Sequence, residues 1–392
     1  MASHRSRSRT TTPVSSKTAN RRKARLIRNG PCGSGHVCDV KGTSVSRRLS
    51  YVLPLRWNDD SGLDELTDYL RWLAERCQVV VADGSPEPHF TRHAQRWNRW
   101  VTHLRVPTVT GASNGKVVGV CHGVRVAVHD RVVIADDDVR YDDTALRRVG
   151  EVLDSSDLVV PQNYFGALPW HARWDTARTL LNRAFSGDYP GTFGVSRTTF
   201  LAMGGYRDDV LFENLELMRT LAVAGGRIAR APDLFVRRTP PTARHFWSQR
   251  VRQAYDSLAQ PVRCCVELAV LPAVGVAIAR NSTAKVTSFL ALSGVLVAEL
   301  GRRRHGGTQV FPATTAVFAP LWIAERAVCV WIALARRVLL GGVRYHGGRL
   351  PTAAHSKRWL SKRRASRPGD GSALTSPDGA RPVHSGCRPA PR

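Results

Sequence analysis

Val132-Val133-Ile134-Ala135-Asp136-Asp137-Asp138-Val139 is the stretch on which the reading of this chain turns. A run of β-branched residues ending in three carboxylates is a buried strand that delivers acids to the carboxyl edge of a sheet, where open α/β proteins bind ligands. Alternate residues of an extended chain point the same way, so Asp136 and Asp138 present oxygens to one hard cation while Asp137 faces elsewhere. A divalent ion held there would neutralise a diphosphate. Taken alone, a short acid motif fits a helix cap or a solvated turn equally well, so its surroundings decide.

Upstream, residues 49–56 form a first strand with Pro54 near its end, where a strand terminus tolerates proline. Leu63, Leu66, Tyr69, Leu70 and Leu73 recur at helical spacing, and residues 78–82 make an apolar strand ending in Asp83-Gly84-Ser85-Pro86. Strand, helix, strand implies a parallel sheet with Asp83 at a carboxyl end; an Asp-Gly turn without function is the plain alternative. Residues 103–106 make a third short strand. Asn114-Gly115-Lys116 opens a helical segment, 117–128, that leads into the acid strand. A lysine in a first helical turn opposes the helix dipole, so a phosphate or Asp partner explains Lys116 better than solvent does, although on this feature alone an exposed lysine fits equally well.

Downstream, Asp143 or Thr144 caps a helix, residues 157–163 form another strand, and residues 170–185 are helical and aromatic. Residues 187–194 read as a Gly-rich loop approaching a ligand. After Gly204-Gly205-Tyr206, a helix begins near Phe212 with Glu213 and Glu216 in its first turns, a placement that dipole complementarity alone also explains.

The order of these features resembles a family 2 glycosyltransferase, inverting and nucleotide-sugar-dependent, of membrane-associated type. The Pro54 strand is similar to that family's first strand, Asp83-Gly84-Ser85 to its nucleotide-contacting loop, and Asn114-Gly115-Lys116 to its Asn-x-Gly-Lys region shortened by one residue. Asp136-Asp137-Asp138 resembles its DxD motif, Gly204-Gly205-Tyr206 its Gly-Gly-aromatic turn, and Gln249-Arg250-Val251-Arg252-Gln253 its QxxRW signature. The resemblance covers residues 49 to about 256. It implies the A-type fold of that family: a mixed α/β sheet flanked by helices, followed here by an apolar helical region. Two departures stand out: Asn214 occupies the position where the family carries its basic Asp, and Gln253 replaces the Trp. An amide has no useful basicity, so Glu213 is the first candidate for the general base and Glu216 the second.

The implied chemistry is transfer of a sugar from a nucleoside diphosphate to an acceptor hydroxyl with inversion. Mg2+ or Mn2+ on Asp136 and Asp138 would stabilise the leaving diphosphate, as suits an oxygen-only donor set. Lys116, Gln249, Arg250 and Arg252 would add positive charge and hydrogen bonds around the phosphates, and Pro54 and Asp83 would line the nucleotide. His245 reads more readily as a packed or exposed residue than as a ligand. The acceptor is a glycan or a lipid-linked molecule, in keeping with envelope polysaccharide or glycolipid synthesis.

Composition frames this reading. The 392 residues carry a formal net charge of +27, unevenly placed: residues 1–48 hold twelve Lys/Arg against Asp39 alone, and residues 349–392 hold ten against Asp370 and Asp378. These tails are rich in Ser, Arg, Pro and Gly, so basicity does not imply a specific nucleic-acid partner. The eight cysteines show neither CxxC pairs nor metal-finger spacing. Beyond Cys264, apolar runs at 266–279, 286–300 and 310–334 are interrupted by Glu267, Lys285, Glu325 and Arg326 and flanked by Arg302-Arg303-Arg304 and Arg336-Arg337. They are candidate membrane segments, suited to insertion or a helical hairpin more than to clean spanning, with a soluble helical subdomain as the plain alternative; their basic flanks place the catalytic domain on the cytoplasmic side of the cell membrane. The expected organisation is a disordered basic tail (1–45), a catalytic domain (46–260), an apolar membrane-associated region (261–345) and a second disordered basic tail (346–392). The competing reading is a catalytically decayed basic scaffold acting at a membrane or on nucleic acid.

Overall fold

The computed structural model describes residues 48–107, 114–185, 187–345 and 348–366. In chain order it runs β1 (Leu49–Leu55), α1 (Leu63–Ala74), β2 (Gln78–Asp83), α2 (His89–Trp97), β3 (Thr102–Arg105), α3 (Gly115–Val126), β4 (Arg131–Ala135), β5 (Val139–Arg140) and α4 (Asp143–Leu153). There follow β6 (Leu158–Phe165), α5 (Trp170–Phe185), β7 (Thr192–Ser196), α6 (Arg197–Ala202), α7 (Glu213–Val223), β8 (Ile228–Arg238) and α8 (Ala243–Tyr255). The C-terminal part holds α9 (Pro261–Ala279), α10 (Thr283–Arg303), α11 (Ala319–Leu340), β9 (Val343–Tyr345), β10 (Gly348–Leu350) and α12 (Lys357–Ala365).

Eight strands form one mixed sheet in the order β3-β2-β1-β4-β7-β6-β8-β5. β1 runs parallel to β2 and β4, and β2 parallel to β3; β7 is antiparallel to both β4 and β6. The central strands β1, β2, β4 and β7 are buried along nearly their whole length, as strands covered on both faces by helices must be. Leu49, Tyr51 and Leu53 of β1 and Val133 of β4 pack with Leu66, Leu70 and Leu73 of α1 and Val149 of α4. On the other face, Val52 and Val132 pack with Val120 and Val124 of α3 and with Phe193 and Val195. The mixed α/β sheet flanked by helices, with an apolar helical region after it, is therefore as the sequence implies.

One sequence expectation fails at the centre of the sheet. The Gly-rich stretch 187–194 is a loop only as far as Gly191; Thr192–Ser196 is β7, wedged between β4 and β6. Gly194 serves packing here, since a Cβ on it would stand 2.7 Å from Val149 Cγ1 and 3.3 Å from Val159 Cβ. Glycine inside a strand marks such a close approach as readily as it marks a turn.

A second difference lies after the apolar helices. Residues 348–366 of the tail expected from 346 are structured: Leu211 and Phe212 donate backbone N–H bonds to Thr352 O and Ala353 O at 3.0 and 2.8 Å, and α12 packs on α7. Leu350, Ala353 and Leu360 are buried, and three apolar anchors scattered through a basic stretch leave no periodic signal. The tail expected over 1–45 and the remainder from 367 lie outside the described residues.

Three helical segments, Pro261–Ala279, Thr283–Gln309 and Ala313–Leu340, are long and apolar enough to cross a membrane. At 1.5 Å per residue even the 19-residue α9 spans about 28 Å, close to a hydrocarbon core. Phe289, Leu292, Leu296 and Leu300 of α10 and Val328, Trp331 and Ile332 of α11 face outward. The same helices dock on the α/β body: α10 lies against α5 and α11 against α8. Contact is close at Gly301, where a Cβ would fall 1.9 Å from Leu180 O.

Candidate active site

The acids arrive at the sheet edge because β4 ends at Ala135, with Ile134 and Ala135 buried behind them. Asp136 N–H bonds Gly191 O at 2.9 Å, holding the Gly191 turn against the acid. A Cβ at 191 would stand 2.7 Å from Asp136 Oδ2; glycine there leaves that oxygen accessible. Asn163, from β6, fixes the turn by accepting the Gly191 N–H bond at 2.8 Å.

Lys116 enters from α3. Asn114 caps that helix, its Oδ1 accepting from Lys116 N–H at 3.1 Å, and its amide donates to Val210 O at 3.2 Å. Lys116 Nζ then stands 2.6 Å from Asp136 Oδ1 and 2.7 Å from Glu213 Oε1. Burial alone would lower the Lys116 ammonium, but Asp136 and Glu213 outweigh it and hold the group well above the usual lysine value. The carboxylate partner anticipated for this lysine is present twice over.

Asp138 is matched differently. β8 ends beside β5, pairing Val139 with Arg238, and Arg238 Nε lies 3.0 and 3.1 Å from the two Asp138 oxygens. Arg238 carries no motif and lies far from the acids in sequence, so only the β5–β8 pairing reveals it. Asp137 turns away, as expected from strand alternation, and accepts a hydrogen bond from Trp57 Nε1 at 2.5 Å; burial raises its carboxyl above the ordinary value.

Glu213 opens α7 and is buried beside Tyr206. Burial first, then Glu213, raises the Tyr206 phenol, with Lys116 opposing. Gly204 and Gly205, with φ of 77° and 71°, make the left-handed turn that sets Tyr206 in place, a backbone only glycine adopts freely. Tyr345, from β9, donates to Asn114 Oδ1 at 3.2 Å, and the Arg252 guanidinium sits over its ring at 4.9 Å. The segment after the apolar helices thus reaches the cleft, which no sequence pattern signalled. Asp256, just past α8, feels both Arg252 and Glu213; burial pushes its carboxyl up to about 7 against the pull of Arg252.

Asn214, at the position of the expected catalytic Asp, donates its side-chain amide to Pro190 O at 2.8 Å. It braces the turn that carries Gly191, a task a carboxylate does not perform.

Glu216 and Arg250 sit elsewhere than expected, and Gln249 and Pro54 have partners within the chain. Glu216 is fully buried, with its oxygens accepting from His355 N–H at 2.8 Å and facing His355 Nδ1 at 2.9 Å; it anchors the returning segment rather than the Lys116 cleft. Arg250 is also buried, 3.4 Å from Asp175 and 3.6 Å from Glu325, linking α8 to α5 and α11. Gln249 accepts from Arg252 at 3.2 Å. Pro54 pairs in register with Ala82 and lies beneath Gly119 of α3.

Asp83 has no exposed surface. Its carboxylate faces His93 Nδ1 at 2.7 Å and His103 Nε2 at 3.0 Å, and accepts from Ser85 N–H at 2.8 Å. Burial would raise this carboxyl, but the bonds from His103, His93 and Ser85 outweigh it and hold it well below the carboxylate range. The donor atoms of Asp83, His93 and His103 lie within 4.8 Å of one another, and hydrogen bonding accounts for that spacing. The carboxylate therefore shapes the Ser85 turn, whose hydroxyl accepts Trp57 N–H at 2.9 Å.

Asp136 and Asp138 fit a hard cation: both are partly exposed carboxylates on one edge, and Gly191 keeps Asp136 Oδ2 clear. No family model matches the sequence, and no curated protein matches it. Among solved structures, a mannosyltransferase from Pyrobaculum calidifontis in complex with GDP-Man and Mn2+ is similar over 72% of this chain and 87% of its own, with 19% identity and a TM-score of 0.42.

Proposed function

We propose that this chain transfers a sugar from a nucleoside diphosphate to an acceptor hydroxyl with inversion, as a metal-dependent, membrane-attached glycosyltransferase of the A-type fold. The observation that carries the proposal is Lys116 Nζ held between Asp136 and Glu213. It joins the acid edge of β4, the N-terminus of α3 and a carboxylate of α7 in one cleft.

In this reading Asp136 and Asp138 would hold Mg2+ or Mn2+, which when bound supplies Lewis-acid stabilisation of the departing diphosphate. Lys116 and Arg238 place fixed positive charge beside the same oxygens, and Arg252 adds a guanidinium suited to phosphate from the α8 side. Glu213, in contact with Lys116 at 2.7 Å, accepts the proton of the acceptor hydroxyl. Inversion follows if that hydroxyl attacks opposite the leaving phosphate. Asn214 holds the Pro190–Gly191 turn and takes no proton. Donor and acceptor meet on the cytoplasmic side, where α9–α11 bring a lipid-linked or glycan acceptor to the cleft.

The test is calorimetric titration of the full-length protein in detergent with a panel of nucleoside diphosphates and their sugar conjugates, with and without Mn2+ or Mg2+. Metal-dependent binding of one nucleotide supports the reading. A second reading, a decayed scaffold, is favoured by Asn214 and by the Lys116 and Arg238 cations that already neutralise both acids; absence of all nucleotide binding by folded protein would select it.

A further inference from the structure

A second cavity, of about 570 Å3, lies on the flank of the sheet away from the acid cleft. It is lined at the starts of β6 and β8, where Val160 pairs with Arg230, whereas the acid cleft lies near the other end of these strands, where Phe165 pairs with Arg238. Five strand residues separate the two levels, roughly 16 Å at 3.3 Å each.

The cavity wall carries three arginines and two aspartates. Arg183, 3% exposed, donates to Gln162 Oε1 at 2.9 Å, Pro232 O at 2.8 Å, Arg304 O at 2.6 Å and Gly301 O at 3.3 Å. With His305 O at 3.5 Å these acceptors take all five N–H donors of Arg183, so its geometry is fixed, and it meets the carboxylates of Asp188 and Asp233 only through space. Arg304 donates to a carbonyl, Ala184 O, and Arg230 is exposed with no hydrogen bond or ion pair among the described residues. The two carboxylates on the wall are engaged elsewhere. Asp188 is held by Arg178 at 3.1 Å, Thr179 at 2.6 Å and Asn182 at 2.7 Å, and Asp233 pairs with Arg148. Arg230 and Arg304 thus face a space of ligand size with no carboxylate bonded to either among the described residues, above the buried charge of Arg183, and such forks match phosphate oxygens.

The rim says where the phosphate comes from. Phe289, Leu292, Leu296 and Leu300 form an exposed apolar stripe along α10, at helical spacing, that runs directly into Arg302-Arg303-Arg304. Phe185, 79% exposed, stands at the cavity mouth. An apolar stripe ending in arginines beside an exposed aromatic is the pattern of a membrane–water boundary.

We propose that this cavity binds a phosphate group, presented by an anionic phospholipid headgroup at the bilayer surface, and that Arg230 and Arg304 contact it while the buried Arg183 adds positive charge beneath. The site is independent of the transfer reaction and would persist if the cleft were inactive.

The experiment is calorimetric titration of the full-length protein, in neutral detergent at low ionic strength, with micelle-dispersed phosphatidylglycerol, with phosphatidylcholine and with inorganic phosphate. Saturable phosphatidylglycerol binding, at least about tenfold tighter than phosphatidylcholine and weakened about tenfold by Arg230→Glu, is expected for loss of a charge-assisted phosphate contact. Arg230→Glu should keep the wild-type thermal midpoint, because that side chain makes no contact the fold needs, and Asp138→Asn should leave lipid binding unchanged. Arg230-dependent binding of inorganic phosphate without preference for the anionic lipid would keep the phosphate site and overturn its lipid source. No binding of either, or binding indifferent to Arg230→Glu, would overturn the site.

Discussion

Lys116 Nζ lies 2.7 Å from Glu213 Oε1, bridging residues 97 positions apart in the chain. The same ammonium lies 2.6 Å from Asp136, so one cation neutralises the acid edge of β4 and the first carboxylate of α7 together. Removing either acid leaves the lysine its other partner. Removing the lysine leaves two carboxylates facing one another, the costlier change.

Glu213→Gln should suppress transfer by roughly a hundredfold or more, the usual weight of a general base, with donor affinity nearly unaltered. Steady-state rates beside nucleotide titration check this. An unchanged rate would remove Glu213 from the chemistry and direct attention to Asp256, the neighbouring carboxyl with a raised pKa.

Asp138→Asn should abolish the metal dependence of nucleotide binding while leaving the fold intact, because the substituted amide still accepts from Arg238, which now contacts both Asp138 oxygens. Titration of UDP, GDP and other nucleoside diphosphates with and without Mn2+ reads the outcome. Undiminished metal-dependent binding would exclude Asp138 as a ligand.

Asn214→Asp restores the carboxylate that the family resemblance leads one to expect, yet it should not raise activity. The amide now donates to Pro190 O at 2.8 Å; a carboxylate would confront that carbonyl with a second acceptor. A loss of about 1–3 kcal/mol is expected, seen as a lower thermal midpoint, with the Gly191 turn loosened. A gain in rate would show that position 214 can still act as the base.

Asp256 makes stability depend on pH with a definite sign. Its folded carboxyl is raised to about 7, above an unfolded value near ~3.9. Between these values the folded state holds a proton that the unfolded chain has lost, so this group's contribution to stability falls as pH rises from about 4 to about 7 and is flat above. Thermal midpoints across that window should drop less steeply in Asp256→Asn than in the wild type. Parallel curves would show that Asp256 is not protonated in the fold.

Gly301→Ala sets two effects against each other. Alanine favours a helix by about 1 kcal/mol over glycine, but its Cβ would fall 1.9 Å from Leu180 O and 2.9 Å from Ala184 N. Both are backbone atoms, so α10 must move off α5, at a cost of about 1–3 kcal/mol or more. The thermal midpoint in detergent should fall; a rise would mean that the two helices separate freely.

The sequence by itself determined the local elements and the polar groups that announce themselves by pattern. The β-branched run before Asp136, the helical segment opened by Asn114-Gly115-Lys116 and the helical start at Glu213 are legible because each depends on residues a few positions away. The three apolar helical segments are legible for the same reason. Tertiary structure alone decided the rest, because pairing across a sheet and packing between helices join residues that share no period. It made Thr192–Ser196 a central strand where glycines suggested a loop, since Gly194 answers to Val149 and Val159 on neighbouring elements. It brought Arg238 to Asp138 and Tyr345 to Asn114, took Glu216 and Arg250 away from the cleft, and buried Asp83 among histidines. A charged side chain in a sequence shows what it can bind, but which opposite charge or carbonyl reaches it first is a matter of three-dimensional distance.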